Sequence, residues 1–245
     1  MFGIRIAGLK AGLTNKYPFV FEQCQAYLAH DTAPFDLYAL ATDKEIEAEL
    51  SLDMGADDHG GAESICLYRA IAKQLHRFDA LLMHGAVIGY KDKAYAFLAP
   101  SGTGKSTHIR LWHRYLGDDV FPVNGDKPIL RRENGIFTAY GTPWAGKENW
   151  QRNVGLVLAG ICLVTRATEN TVVRLSDAQA VSGVLRQIYL PPEPEGALAT
   201  MALADELISK IPIYLLGCDM TEGAVKASFE ALTGYEYEQA KGTNK

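Results

Sequence analysis

Ala94-Tyr-Ala-Phe-Leu-Ala-Pro-Ser-Gly-Thr-Gly-Lys-Ser-Thr107 is the stretch on which the fold turns. Residues 94–98 form an apolar and aromatic run with the length of a buried strand, and from Ser106 onward Ile109, Leu111, Trp112 and Tyr115 fall at helical spacing. Residues 100–105 are therefore a strand-to-helix loop. Gly102 and Gly104 free its backbone to fold around an anion, and the amides at the helix start carry the positive end of the helix dipole. Lys105 has the reach for β- and γ-phosphates, and the Ser106 hydroxyl suits a Mg²⁺ shell. Ser101, Gly102, Thr103, Gly104, Lys105, Ser106 and Thr107 are the expected nucleotide-binding residues. The pattern is G-x-x-x-x-G-K-[ST], with Ala99 where the first glycine usually stands. It implies a nucleoside triphosphate, against the alternative of a Gly-Ser-Thr turn that binds nothing.

Composition sets the frame around this loop. The chain has 245 residues, 48% of them apolar and 22% charged, which is ordinary globular composition with room for a sizeable core. Lys and Arg number 24 against 29 Asp and Glu, a net charge of −5 without a basic stripe, so nucleic acid is not an expected partner. The start lacks a long apolar segment and no run approaches the length of a membrane span, so a cytoplasmic protein with no membrane partner is expected. Cys24, Cys66, Cys162 and Cys218 are far apart, which predicts free, mostly buried thiols.

Outward from the loop, residues 2–9 and 35–41 read as strands of a small sheet-rich N-terminal part, and 43–50 as a short helix. The loop at 55–61 is the expected boundary, giving an N-terminal region 1–60, a nucleotide-binding domain 61–235 and a polar tail 236–245. Residues 63–78 form an amphipathic helix. Residues 80–83 read as a strand, closed by His84-Gly85 and antiparallel to the strand feeding the loop. Downstream come a strand at 120–123 reaching Asn124-Gly125-Asp126, and a hairpin of 129–132 and 136–140 about Asn134-Gly135. Then follow a loop at 141–147, a strand at 156–164, helices at 176–189 and 197–210, a strand at 213–216 and a helix at 221–232. The fold class predicted is α/β with a mixed sheet.

Phosphoryl transfer needs an acid for the metal and a group to orient or deprotonate the acceptor. Asp126 follows an apolar strand and is the metal candidate with Ser106, against the alternative of an Asn-Gly-Asp surface turn. Asp118 and Asp119 sit at a helix end and read as solvated. His84, Lys105, Asp126, Lys147 and Arg152 are the candidate catalytic residues. For His84 a place beside the γ-phosphate and a structural role both stay open. For Lys147 and Arg152 charge neutralisation competes with plain surface exposure. Trp144 and Trp150 suit stacking on a base or peptide, or packing.

The order of these motifs resembles the HPr kinase/phosphorylase family, and more closely the HPr-kinase-related serine kinases found beside peptide-modification genes. The resemblance spans about residues 81–216. It is carried by Leu82-Met-His-Gly-Ala-Val87, Ala99-Pro-Ser-Gly-Thr-Gly-Lys-Ser-Thr107, Val123-Asn-Gly-Asp126 and Gly141-Thr-Pro-Trp-Ala-Gly146. It implies the mixed-sheet nucleotide-binding core shared with ATP-dependent phosphoenolpyruvate carboxykinase. It also implies a place for His84 near the phosphoryl acceptor, phosphate and Mg²⁺ ligation by Lys105 and Ser106, and a match of Asp126 to one acid of an Asp-Asp pair. Gly125 or Lys127 replaces the other acid, depending on register. The Glu-Ile-Arg-Gly-type strand that binds HPr is not found, so HPr is not the expected substrate. HPr kinases form hexamers, which puts a homo-oligomer among the expected partners.

These readings together predict an ATP- and Mg²⁺-dependent kinase acting on a hydroxyl, foremost a serine of a peptide or protein. A small-molecule kinase of the carboxykinase-like type and a nucleotide-binding regulator with little catalysis are the alternatives.

Overall fold

The computed structural model describes residues 1–52 and 56–242. In chain order the elements are β1 (Phe2–Ile6), β2 (Leu9–Thr14), α1 (Pro18–Gln23), β3 (Leu37–Leu40), α2 (Asp43–Leu50), α3 (His59–Ala72), β4 (Ala80–Leu82), β5 (Ala86–Tyr90) and β6 (Lys93–Leu98). They continue with α4 (Lys105–Leu116), β7 (Val120–Asn124), β8 (Ile129–Glu133), β9 (Ile136–Tyr140), β10 (Gly155–Arg166) and β11 (Thr171–Arg174). The last are α5 (Asp177–Leu185), α6 (Pro194–Lys210), β12 (Ile213–Cys218), α7 (Glu222–Thr233) and α8 (Tyr237–Gly242).

Among the described residues the strands form two sheets. The small one runs β1-β2-β3. Residues 2–9, expected as one strand, instead turn at Ala7 (φ 50°) and Gly8 (φ 72°), so that Ile6 pairs with Leu9 in a tight hairpin. α3 packs on this sheet with α1 and α2 and shares one apolar cluster with it, which includes Ile4, Leu13, Leu67 and Ile71 and reaches Trp144 of the larger body. α3 starts earlier than periodicity suggested, because the Asp58 carboxylate caps the amide of Gly61 at 2.7 Å. Part of the expected boundary loop at 55–61 is thus helical, while Gly55 lies outside the described residues.

The larger sheet has nine strands in the order β4-β8-β9-β10-β6-β5-β7, with β12 on β10 and β11 on β12. β6 lies parallel to β10 and antiparallel to β5, so the sheet is mixed as expected. Its strands are covered on both faces. Tyr95 and Phe97 face the α4 and α7 side, while Ala94, Ala96 and Leu98 face α5 and α6, the strand period of two seen from within the core.

The antiparallel neighbour of β6 is β5, not residues 80–83; β4 pairs with β8 at the sheet edge. Tyr90 pairs with Lys93, so the link is only Lys91-Asp92, and Lys91 at φ 54° supplies the left-handed turn that ties the two strands. The strands β2, β5 and β11 were missed, being short or apolar on both faces. The polar tail carries α8, anchored by buried Tyr237; residues 243–245 lie outside the described residues. The four thiols are free, three of them buried.

α4 is held from behind by a buried cluster. His108 is 2% exposed, its Nε2 lies 2.9 Å from Ser228 Oγ, and its Nδ1 has no hydrogen-bond partner. Burial pushes its pKa down to about 4. The unfolded chain therefore takes up a proton near pH 6.5 that the folded chain refuses, and stability falls as pH drops from 6.5 toward 4. Between pH 7 and pH 5 His108 should remove about 2 kcal/mol. Urea unfolding should show this loss in the wild type and a much flatter response in His108→Gln; parallel pH profiles would contradict it.

Candidate functional site

Register alone brings the candidate residues together. Ala86 at the start of β5 pairs with Phe97 near the end of β6, and Val87 pairs with Asn124 at the end of β7. The same end of these three strands therefore carries the loop after β6, His84-Gly85 before β5, and Gly125-Asp126 after β7. The Gly85 amide donates to the Asp126 carbonyl at 2.9 Å and locks two of these segments to each other.

In the loop after β6, Gly102 (φ 77°) and Gly104 (φ 122°) hold conformations that side chains rarely adopt, although a Cβ at either would meet no atom. Conformation, not space, demands glycine there. Arg166, at the end of parallel β10, donates from Nη2 to Gly102 O at 2.6 Å and from Nε to Thr103 O at 3.1 Å. Since a trans peptide sets N–H opposite C=O, this fixes the directions of the amides that follow. α4 starts on Gly104 without a side-chain cap, so its first amides have no partner within the helix. Lys105 Nζ donates to Ala99 O at 2.7 Å, and burial pushes its pKa down against the opposing pull of Asp126.

Asp126 is not on a loose surface turn. Asn124 is fully buried and its Oδ1 accepts from the amides of Asp126 at 2.9 Å and Lys127 at 2.7 Å. Its Nδ2 donates to Thr142 O at 3.0 Å, tying this turn to the 141–147 loop. Asp126 Oδ1 lies 3.2 Å from His84 Nε2, and Oδ2 accepts from Lys127 Nζ at 2.9 Å. Burial raises the Asp126 pKa, but the His84 hydrogen bond and the Lys127 ammonium outweigh it and hold the carboxyl below its ordinary value. Gly146, at φ 73°, brings backbone within van der Waals reach of Asp126, where a Cβ would stand 3.1 Å from Asp126 Cβ.

A cleft of ≈ 700 Å³ joins these parts. His84, Lys105, Ser106, Asp126 and Lys147 line it, as do Ser101, Gly102, Gly104 and Thr107. Thr103 does not; its hydroxyl bonds Pro100 O at 2.9 Å, and it borders a second, largely apolar cavity of ≈ 440 Å³. That cavity shares Gly102, Gly104 and Thr107 with the cleft and is otherwise walled by residues such as Leu111, Val164, Ala167 and Met220. Arg152 stays outside the cleft, its guanidinium 4.5 Å over the Phe121 ring. Trp144 is buried and donates to Ser64 Oγ at 3.0 Å, which makes it a packing residue joining the two sheets. Trp150 is half-buried against the core and carries the Arg110 guanidinium at 5.2 Å.

Arg110 and Lys127 line the cleft without having been singled out as site residues. Arg110 stands four residues after Ser106 on α4, a spacing that places both on one helix face and would have flagged it. Arg166 had no such signal, since it comes from a strand 61 residues beyond Lys105.

Gly125 sets a limit on the acid content. A Cβ there would stand 2.7 Å from the Ala145 carbonyl, so no second carboxylate fits beside Asp126 without moving the 141–147 loop. Gly125→Asp should cost about 1–3 kcal/mol of stability by overpacking. A urea midpoint equal to wild type, with turnover raised, would contradict this.

Among the described residues no group of three or more His, Cys, Asp or Glu side chains forms a metal cage. The Asp126 carboxylate and the Ser106 hydroxyl on a shared cleft fit Mg²⁺, which takes few protein ligands and completes its shell with phosphates and water, while the Glu148 carboxylate of the same cleft is paired with Arg110. No helix among the described residues is long and apolar enough to cross a membrane.

The chain is thus a mixed α/β protein whose polar cleft lies at one end of the central strands, between an uncapped helix N-terminus and an Asp–His–Lys cluster. No family model matches the chain, and no curated protein matches it. Among solved structures it is similar to the Hpr(Ser) kinase/phosphatase from Coxiella burnetii, over 67% of this chain and 98% of that chain, at 10% identity and a TM-score of 0.34. So loose a superposition leaves the chemistry to be argued from the cleft itself.

Proposed function

We propose that the chain is an ATP-dependent kinase that transfers the γ-phosphoryl group to a hydroxyl, foremost a serine of a peptide or protein. One observation carries the reading: Lys105 and the open N-terminus of α4 face the same cleft as a carboxylate held by His84 and Lys127. The loop amides and Lys105 would hold the triphosphate, a placement suited to an anion. The apolar cavity beyond Gly102 and Thr107 would take the nucleoside end. Ser106 and Asp126 would hold Mg²⁺, which supplies charge neutralisation on the phosphates when bound. The acceptor hydroxyl oxygen bonds the γ-phosphorus as the bond to the β–γ bridging oxygen breaks. ADP leaves with that electron pair, and the hydroxyl proton passes to the Asp126–His84 pair. Lys105, Lys127 and Lys147 offset the charge on the moving phosphoryl group.

The lack of room for a second acid at Gly125, next to Asp126, favours a second reading, a nucleotide-binding regulator. Incubating the protein with γ-labelled ATP and a pool of serine peptides and small alcohols separates the two. A kinase leaves acid-stable label on an acceptor. A protein that binds ATP and labels nothing is the regulator.

A further inference from the structure

A further cleft of ≈ 480 Å³ opens between the N-terminal layer and the larger sheet. It meets the cleft beside the loop at three shared residues, Asp126, Lys127 and Gly146. From there its lining runs outward along α3, through Tyr68, Ile65 and Ser64, to Phe19 and Gln23 of α1. The walls are fixed to each other. Trp144 Nε1 donates to Ser64 Oγ at 3.0 Å, Ser64 Oγ donates to Gln23 Oε1 at 2.5 Å, and the Tyr68 and Trp144 rings meet edge to face at 6.0 Å.

We infer that the hydroxyl substrate reaches Asp126 through this second cleft as a short extended peptide segment, held by the N-terminal layer. The inference rests on the kinase reading above. Three features carry it. The loop cleft continues in two directions of opposite chemistry: past Gly102 and Thr107 it becomes apolar, and past Asp126 it becomes polar and charged. Only the second direction passes the carboxylate that would take the hydroxyl proton. Its volume lies in the ~300–1,000 Å³ range of clefts that hold ligands far larger than a three-carbon alcohol. Finally, Phe19 is 44% exposed at the α1 end, a large apolar side chain in water next to a groove and suited to grip a neighbouring residue of a bound chain. Charge narrows the choice of peptide. Glu49 pairs with Arg69, Asp126 with Lys127, and Asp58 caps the Gly61 amide, which among the described residues leaves Asp57 as the carboxylate of the lining without an ion pair and the balance of the outer cleft negative. A neutral or basic segment next to the serine is therefore preferred over an acidic one.

The test uses the full chain, γ-labelled ATP and two pools of degenerate serine-centred nonapeptides, one enriched in Lys and Arg and one in Asp and Glu. ATP binding is followed separately with a fluorescent ATP analogue. Wild type should label the basic pool at least several-fold over the acidic pool. Ile65→Trp, which fills the cleft, should cut labelling tenfold or more, and Phe19→Ala several-fold, with analogue affinity within twofold of wild type. Labelling unchanged in both variants, labelling confined to free serine or small alcohols, or ATP binding without peptide labelling would each overturn the inference while leaving nucleotide binding intact. Failure of wild type to bind the analogue would instead remove the kinase reading on which the inference rests.

Discussion

Lys105→Ala should lower ATP turnover by about 10²–10³-fold, the loss seen when one fixed donor to developing charge is removed. The side chain starts from the first turn of α4 with its ammonium 2.7 Å from the Ala99 carbonyl, and it lines the cleft that also holds Asp126. Partial burial makes its charge act through a medium less screening than water, so its loss would be felt fully at a bound triphosphate. The fold should lose only about 1–3 kcal/mol, because alanine is the best helix former but the carbonyl of buried Ala99 loses its Lys105 donor. Turnover is to be compared with urea stability in the same variant. Turnover equal to wild type would remove Lys105 from the reaction.

Asp126→Asn should lower turnover by about 10²–10⁴-fold, the range for a positioned general base. The shape is kept, as are the Asn124 bonds to the Asp126 and Lys127 amides, but the charge that engages His84 Nε2 and Lys127 Nζ is lost. Nucleotide binding should be partly retained, while the Mg²⁺ dependence of turnover disappears. The pH sign follows from the lowered carboxyl pKa. Asp126 is ionised throughout the neutral range, and its contribution to stability and to proton acceptance is lost only as pH falls below the ordinary 3.8. A kinase whose acid limb near pH 6 vanished in Asp126→Asn would contradict this assignment.

Part of the candidate site's local structure is legible in the sequence. The strand, loop and helix around Lys105 follow from apolar periodicity and two glycines, and the hairpin from Asn134-Gly135, which takes up φ 51° and φ 78°. The convergence of His84 with Asp126 was not legible from spacing, because it depends on β5, whose Ala-Val-Ile-Gly-Tyr run is buried on both faces and shows no alternation. Asn124-Gly125-Asp126 reads as an exposed turn because those residues form turns in water. The buried Thr142 that satisfies Asn124 comes from a loop 18 residues away. Arg152 followed the opposite course: a cation near a glycine-rich loop invites a phosphate, but Phe121 on β7 holds it aside. The cleft along α3 was likewise hidden, since it lies between two layers whose docking no local pattern encodes.

The most direct test of the account is a crystal structure of the full chain with Mg²⁺ and a non-hydrolysable ATP analogue. The account predicts the β- and γ-phosphates against the amides of residues 102–107 and Lys105 Nζ, with Asp126 on the opposite wall and the base in the apolar cavity beside Leu111. An analogue bound elsewhere, or a Pro100–Lys105 loop that closes over itself and leaves the phosphates in solvent, would contradict it.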